Sequence, residues 1–278
     1  MTTLENEEQA VLLSRSILVK AFYEVWGLGT TYEGVHRSLK ARLPQVWKQK
    51  YLTQSFKFDV ESYQGKRAQE EQRDIINSFS YLSLEGAVKM KDPELQLTIL
   101  EDWGEGSQAP QRIYMGRLLA VGGRTTIDRY DVKKRHYIGN TTMDAELSLV
   151  TANLAHAAPG RLIYDPFAGT GSFLITSSHF GAMAFGSDID GRAIRGKGGR
   201  SILSNFHQYN LVSVFGDTFV SDLTNTPLRV VPGVNQRIFD AIVCDPPYGV
   251  REGLKVLGSK KPERVKGPLM LNGVPRHT

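Results

Sequence analysis

Asp245-Pro246-Pro247-Tyr248-Gly249 is the stretch whose residue types and spacing could do chemistry. It follows Ile238-Phe239-Asp240-Ala241-Ile242-Val243-Cys244, an apolar run of the kind that makes a buried parallel strand. An acid and two prolines stop that strand, because proline has no amide hydrogen to donate. The turn leaves a carboxylate, a free carbonyl and an aromatic ring at a strand's C-terminal edge, which is where open α/β sheets bind ligands. Such a group suits attack by an exocyclic amine. Asp245 and the Pro246 carbonyl can accept its two N–H bonds, while Pro247 holds the turn and Tyr248 stacks on the flat ring that carries the amine.

The electrophile for that amine has to come from upstream. Leu162-Ile163-Tyr164 reads as a strand running into Asp165-Pro166-Phe167-Ala168-Gly169-Thr170-Gly171-Ser172, with a helix following through Ser178. A strand, a Gly-x-Gly turn and a helix present backbone amides and a helix N-terminus to a ligand. The third glycine of the dinucleotide fingerprint would fall at Leu174 and is absent, which disfavours a pyrophosphate loop. A lone Gly-x-Gly also serves any tight β–α turn. Asp188 stands 23 residues after Asp165, at the end of the next strand, where an acid holds ribose hydroxyls. Asp190 competes for that role but also suits a helix cap, and Asp188 is preferred. Asp217 and Asp222 both follow the third strand where a side chain could read adenine, and each alone is better read as a turn residue. Together these features describe a pocket for a nucleoside without a diphosphate, and S-adenosylmethionine matches. Methyl transfer to an amine rests on in-line positioning more than on a strong base. Cys244 is expected in core packing.

The elements that must position these residues fall into two parts. The 278 residues suggest about two domains, and 41% hydrophobic and 23% charged content fit an ordinary globular protein. From Ser16 to about Gly123 strand and helix signals alternate. They comprise a helix capped by Thr30 with Tyr32, Val35, Leu39 and Leu43 on one face, and a half-buried strand at Phe56, Phe58 and Val60. A helix from Arg67 to Phe79 and strands at Leu95–Leu100 and Ile113–Val121 complete an α+β unit with no catalytic cluster. Asp144 caps a helix with Leu147, Val150 and Leu154 on one face. After Leu162–Tyr164 come strand Ala182–Ser187, a helix near Arg192–Asn205, strand Val212–Phe215 and strand Phe239–Cys244. Alternating β and α units imply a parallel, helix-covered sheet. The expected domains are therefore a flexible N-terminus at 1–15, an α+β module at 16–124, a basic linker at 125–143, an α/β domain at 144–250 and a basic flexible tail at 251–278.

Charge narrows the classes further. The net charge is +5, and residues 251–278 alone hold seven Lys/Arg against two Glu, so the other residues balance to zero. Overall basicity is thus no argument for nucleic acid. Lys133, Lys134 and Arg135, flanked by Tyr130 and Tyr137, could contact phosphates and stack on a base, or could equally be a polar linker. The single cysteine excludes an internal disulfide and a Cys-based zinc cluster, and no metal site is expected. Met1–Ala10 is neither a secretory signal nor a transit peptide, and the longest span without a formal charge, Pro166–Ser187, is too rich in Gly, Ser and Thr for a membrane helix. A cytoplasmic location is expected.

Asp165–Ser172, Gly186–Asp190 and Asp245–Gly249 resemble the Rossmann-fold amino-methyltransferases. With Lys133-Lys134-Arg135-His136-Tyr137-Ile138-Gly139-Asn140-Thr141-Thr142-Met143-Asp144 included, and extending back through Ile113–Arg117 and Phe22–Gly29, the chain resembles the eukaryotic tRNA (guanine position ten)-N2-methyltransferase family. The resemblance implies an α/β, Rossmann-like S-adenosylmethionine methyltransferase domain preceded by an α+β THUMP-type RNA-binding domain. It implies tRNA as substrate and a small zinc-binding activator subunit as heterodimer partner, for which the edge strand near Val212–Phe215 is a candidate dock. Asp165, Phe167, Gly169 and Gly171 would hold the methionine part of the cofactor, Asp188 the ribose and Asp222, rather than Asp217, the adenine. Thr141 and Thr142 would close the methionine side, and a stacked guanine would have to be unstacked or flipped. Against the family's pattern the chain is expected to be truncated at both ends, leaving the parallel sheet incomplete at its C-terminal end. Two further readings follow, a non-catalytic tRNA-binding fragment and a DNA or RNA adenine N6-methyltransferase.

Overall fold

Asn6 accepts the Gln9 amide on its side chain at 2.9 Å and starts a helix, α1 (Glu7–Leu13), with Glu7 and Glu8 in the first turn where the helix dipole favours acids. Glu7 pairs with Arg117 at 2.6 Å and Lys48 at 3.2 Å, so part of the stretch expected to be a flexible terminus is helical and tied down. The computed structural model describes residues 3–4, 6–140, 142–228 and 237–248, and the backbone of 269–271 and 274–276. Thr141, Gly249 and most of the expected flexible tail lie outside the described residues. Residues 1–124 and 125–278 form two units.

In the first unit, β1 (Ala21–Gly29), α2 (Tyr32–Val46), β2 (Phe56–Tyr63), α3 (Gln69–Asn77), β3 (Leu95–Asp102) and β4 (Arg112–Val121) follow in order. The sheet order is β1-β4-β3-β2, antiparallel except for the parallel β2–β3 pair. The helix cap is Thr31, one residue later than expected, with its hydroxyl accepting the Gly34 amide. Val35 and Leu39 of α2 are fully buried against Trp26, Leu97, Ile99 and Met115. A β-carbon at Gly27 would stand 2.9 Å from the Leu39 β-carbon, so glycine there lets α2 lie close on β1. Glu101, 1% exposed, is held by Arg67, Tyr32, Ser62 and Trp103, which supply the partners a buried carboxylate needs. Its role is structural.

The second unit begins with α4 (Thr126–Tyr130), and Tyr130 is completely buried against Tyr209 and His179. The expected linker is therefore ordered and partly core. Asp144 caps α5 (Ala145–Leu154), accepting the amides of Glu146 and Leu147. The buried face of α5 is Ala145, Ser148, Leu149 and Ala152, whereas Leu147 and Leu154 are 53% and 75% exposed. The expected face was the wrong one. This helix carries apolar residues all round, and its small residues are the ones that lie against its neighbour, so periodicity alone could not choose.

Then come β5 (Leu162–Asp165), α6 (Ser172–His179), β6 (Met183–Asp188), α7 (Gly191–Arg195), α8 (Ile202–Tyr209), β7 (Phe215–Val220) and β8 (Ala241–Ile242). They build an all-parallel sheet in the order β7-β6-β5-β8. Successive residues of β5 face opposite sides. Ile163 packs with Ala152, Phe173, Ala182 and Val243, while the Tyr164 ring stacks on Phe239 at 4.7 Å and Phe219 at 6.3 Å. This is a Rossmann-like α/β layer arrangement.

Three expectations in this unit are corrected. The single helix near 192–205 is two, because Gly196, Gly198 and Gly199 take positive φ and Lys197 folds back to pair with Arg200. A β-carbon at Gly196 would stand 2.0 Å from the Arg200 carbonyl. Val212–Val214 is a 3-10 turn, and the strand starts at Phe215. The run Phe239–Cys244 pairs as strand only at Ala241–Ile242, with the Asp240 and Val243 amides extending the bonding to Leu162 and Tyr164. Only β5 flanks it among the described residues, and Ile242 is 64% exposed. A short pair, β9 (Leu269–Leu271) and β10 (Val274–Arg276), is antiparallel. Among the described residues no helix is long and apolar enough to cross a membrane.

Candidate active site

The C-terminal ends of β5, β6, β7 and β8 open on one cavity of about 590 Å3. The expected residues Thr142, Asp165, Phe167, Gly169, Asp188, Asp222 and Asp245 to Tyr248 all line it. Gly171 shapes it from behind at φ +84°, where a β-carbon would meet Ile202 at 2.9 Å. Asp217 is exposed and sits at the slipped register of β7 against β6, so of the two adenine candidates only Asp222 reaches the wall. Asp222 is 3% exposed and accepts the Thr224 amide and hydroxyl at 2.9 and 2.7 Å.

Asp188 binds the glycine turn directly. One carboxylate oxygen accepts the Gly169 amide at 2.9 Å and the other the Asp190 amide at 2.8 Å. Each oxygen retains a further lone pair, so two hydroxyls of a ribose could still be accepted. Asp190 caps α7 through the Arg192 amide and also lines the cavity. Gly186 explains how the turn fits under α6: a β-carbon there would strike Leu174 at 2.7 Å and Ala168 at 2.9 Å. Sequence reasoning gave Gly186 no such role, since the contact joins separate elements.

Asp165, 1% exposed, accepts the Phe167 amide at 2.9 Å. Burial, with the Asp188 and Asp245 carboxylates adding to it, pushes its pKa up to about 7. Burial, with the Asp165 and Asp245 carboxylates adding to it, pushes the Cys244 thiol up, which keeps it protonated and unreactive; the residue is half-buried rather than full core. Five aspartates line the cavity, and no lysine, arginine or histidine is among the described residues that do. That charge pattern suits a ligand rich in hydroxyls, amines and positive charge, and it disfavours a diphosphate.

In the proline turn the Tyr248 hydroxyl donates to an Asp245 carboxylate oxygen, and the ring is 79% exposed. This bond raises the Tyr248 phenol pKa. Thr142 shares a hydrogen bond with Thr170 at 3.0 Å and also lines the cavity, while Thr141 lies outside the described residues.

The basic run divides. Lys133 and Lys134 are exposed, but Arg135 is 5% exposed and donates to the Ser172 hydroxyl at 2.7 Å. The expectation that Arg135 contacts RNA is corrected: its guanidinium is turned into the protein, behind the first turn of α6. Nothing in the linear run Lys133-Lys134-Arg135 distinguishes the third cation from the first two.

A family model of the Tmrp11 THUMP N-terminal domain matches residues 1–124, and one of the RMKL-like methyltransferase domain matches residues 133–259. The chain therefore carries a match to a THUMP domain followed by a match to a methyltransferase domain. This THUMP–methyltransferase chain is 44% identical over 273 residues to the tRNA (guanine(10)-N(2))-methyltransferase of Saccharomyces cerevisiae, covering 95% of the chain and 62% of the relative. Against the Schizosaccharomyces pombe protein of the same name, identity is 47% over 261 residues, covering 93% of the chain and 54% of the relative. The THUMP–methyltransferase chain thus spans about three fifths or less of the length of these relatives. The crystal structure of TrmN from Thermus thermophilus is 16% identical, with a TM-score of 0.42, over 90% of this chain and 68% of that one.

Proposed function

We propose that the second unit binds S-adenosylmethionine in the aspartate-lined cavity and directs methyl transfer to the N2 amine of guanine at position ten of tRNA. The observation that carries the reading is the meeting of the Asp245–Tyr248 turn with the glycine turn and Asp188 around a single cavity whose charged side chains are all carboxylates. The donor set fits the cofactor. Asp188 has free lone pairs for ribose hydroxyls, Asp222 sits where the adenine amine would be accepted, and Asp165 faces the cationic methionine side with the uncapped start of α6 beside it. When bound, S-adenosylmethionine supplies an electrophilic methyl group on a sulfonium sulfur.

The chain's own groups do the positioning. Asp245 accepts one N–H of the amine and orients its lone pair, the Pro246 carbonyl accepts the other, and Tyr248 stacks on the base. The Tyr248 hydroxyl occupies the Asp245 carboxylate in the described state, so an incoming amine takes over that bond and frees the ring. The first unit supplies tRNA binding, Lys133 and Lys134 of the second unit contact phosphates, and a small zinc-binding activator completes a cytoplasmic heterodimer. The relatives' names support guanine over adenine as the base.

The test is to incubate the chain, with and without the activator, with unmodified tRNA and methyl-labelled cofactor. Label is expected as N2-methylguanosine at position ten, and a transcript with adenosine there should take none. Label on adenine instead would favour the N6-methyltransferase reading. Binding of tRNA with no cofactor heat in calorimetry would favour the tRNA-binding fragment.

A further inference from the structure

Residues 191–216 hold Arg192, Arg195, Lys197 and Arg200 and no acidic residue. Because the residues before 251 balance to zero charge, this stretch is a local positive excess and not part of a general one. It folds as α7, a tight turn and α8, which fix its cations in place. Asp190 neutralises Arg192 at 2.7 Å. Arg195, Lys197 and Arg200 are exposed and have no carboxylate partner among the described residues. The turn is stiff. The Lys197 amide donates to the Arg200 carbonyl at 2.8 Å, and the Arg200 amide returns the bond at 3.1 Å. Gly198 and Gly199 between them have φ of +60° and +77°, as a type I′ turn requires. Two residues that exchange both bonds carry their side chains on one face, with Cα atoms about 5.5 Å apart. A β-carbon on Gly198 or Gly199 would meet nothing within 4 Å, so the tip stands clear of the protein. Cations kept only for solubility need no such setting, whereas a paired, outward display suits an anionic group held between two charged donors.

The position of the turn decides what the anion is. The helix before it, α7, contributes Ala193 to the cavity wall. The helix after it, α8, carries the basic run on its other end. Gln208 accepts the His136 amide at 2.9 Å and donates to the Lys134 carbonyl at 2.7 Å. Asn205 accepts the Tyr137 amide and donates to the Tyr137 carbonyl, both at 2.8 Å. The Tyr137 hydroxyl in turn donates to the Ala193 carbonyl at 2.9 Å, tying the run to the cavity wall. Lys133 and Lys134 thus stand at one end of α8 and Lys197 and Arg200 at the other. An eight-residue helix without an acid, about 12 Å long, separates the two pairs. Two cation pairs spaced along one rim match a polymer of phosphates, not a single small anion. We propose that Lys197 and Arg200 clamp a backbone phosphate of RNA at the mouth of the cavity, across α8 from Lys133 and Lys134, and hold the strand beside the nucleotide that enters. The inference rests on the tRNA reading above and adds to it a contact point on the second unit. The contact is to backbone and reads no sequence.

The experiment measures binding of an unmodified tRNA transcript to the full chain between about 50 and 200 mM salt, where phosphate contacts show as a slope of log affinity on log salt. Lys197→Gln with Arg200→Gln should weaken binding roughly tenfold at the low end and reduce the slope by about one to two. Gly198→Val with Gly199→Val keeps every charge but disfavours positive φ, and it should weaken binding several-fold through the lost geometry. Affinity for S-adenosylhomocysteine, measured by calorimetry, should stay within about twofold in both variants, which also reports that the second unit is folded. Ethylating single phosphates of the transcript should interfere next to position ten in the wild type and not in the Lys197–Arg200 variant. A wild-type chain that does not bind the transcript overturns the tRNA reading and this inference with it. Wild-type binding that the Lys197–Arg200 variant reproduces in affinity and slope overturns this inference alone. So does an unchanged affinity in the glycine variant, which would mean that loosely placed charge suffices. Interference confined to phosphates far from position ten would overturn the placement at the cavity mouth. Loss of S-adenosylhomocysteine together with the transcript would make the turn a structural support and overturn the clamp.

Discussion

Asp165 stays protonated up to about pH 7, and that has a definite sign. Below the ordinary carboxyl value of 3.8 the group is protonated folded or unfolded and contributes nothing to pH dependence. As the pH rises towards about 7 the unfolded carboxyl ionises while the buried one does not, so stability falls through that window and levels off above it. Asp165→Asn should remove this fall, worth on the order of a few kcal/mol, in chemical unfolding series run across the window. A slope unchanged in the variant would refute the assignment. The ionised form is the one a cationic ligand favours. The affinity ratio of S-adenosylmethionine to S-adenosylhomocysteine, which lacks the sulfonium charge, should therefore rise with pH through about 7 and be flat in Asp165→Asn. Tyr248 makes a separate prediction. Tyr248→Phe keeps the stacking ring and removes the hydroxyl that competes for Asp245, so methylation should be equal or faster. Tyr248→Ala should lose roughly 1–3 kcal/mol of base stacking, read as a rise in the tRNA KM or a fall in kcat/KM. A Phe variant as impaired as Ala would show that the hydroxyl, not the ring, matters.

At the scale of elements, Gly186 on β6 tests how closely the glycine turn and α6 must approach the sheet. Gly186→Ala forces a β-carbon to within 2.7 Å of Leu174 and 2.9 Å of Ala168, so overpacking should cost about 1–3 kcal/mol. The shift passes to the Gly169–Asp188 bond, and ligand affinity should fall with stability. A variant that melts and binds like the wild type would mean that the turn has room to spare. The same element shows what the linear chain reveals. Asp165, Gly169, Gly171, Asp188 and the Asp-Pro-Pro-Tyr turn are legible because strand-end chemistry is local: an acid, a glycine or a proline interrupts an apolar run where the chain must turn. Gly186 and Arg135 are silent in the sequence because their reasons are contacts across elements, a β-carbon against α6 and a guanidinium on Ser172. The α5 face was misread for a related reason. In a helix apolar all round, packing by small residues decides which side is buried, and hydrophobic spacing cannot. The glycines at 196, 198 and 199 were available as a break signal and outweigh the helical pattern around them.

The two units each bury a core of their own, one around Trp26, Leu97 and Ile99 and one around Ile163, Phe173 and Val243. Among the described residues, those lining the aspartate-walled cavity all belong to the second unit. In the proposed division of labour, tRNA affinity depends on the first unit and cofactor affinity on the second, so damage to one core should be separable from the other's function. Leu97 is fully buried on β3, between β2 and β4 in the sheet, and its loss to alanine should cost about 2–5 kcal/mol in the first unit. Calorimetric melting of Leu97→Ala should show an earlier transition for the first unit, with the second unit's transition still raised by S-adenosylhomocysteine through mass action. At temperatures between the two transitions tRNA binding should be lost while the thioether still binds. A single transition that moves as a whole, with both ligands lost together, would show that the two units fold as one cooperative body. Cofactor binding would then depend on the THUMP core as much as on the cavity that holds it.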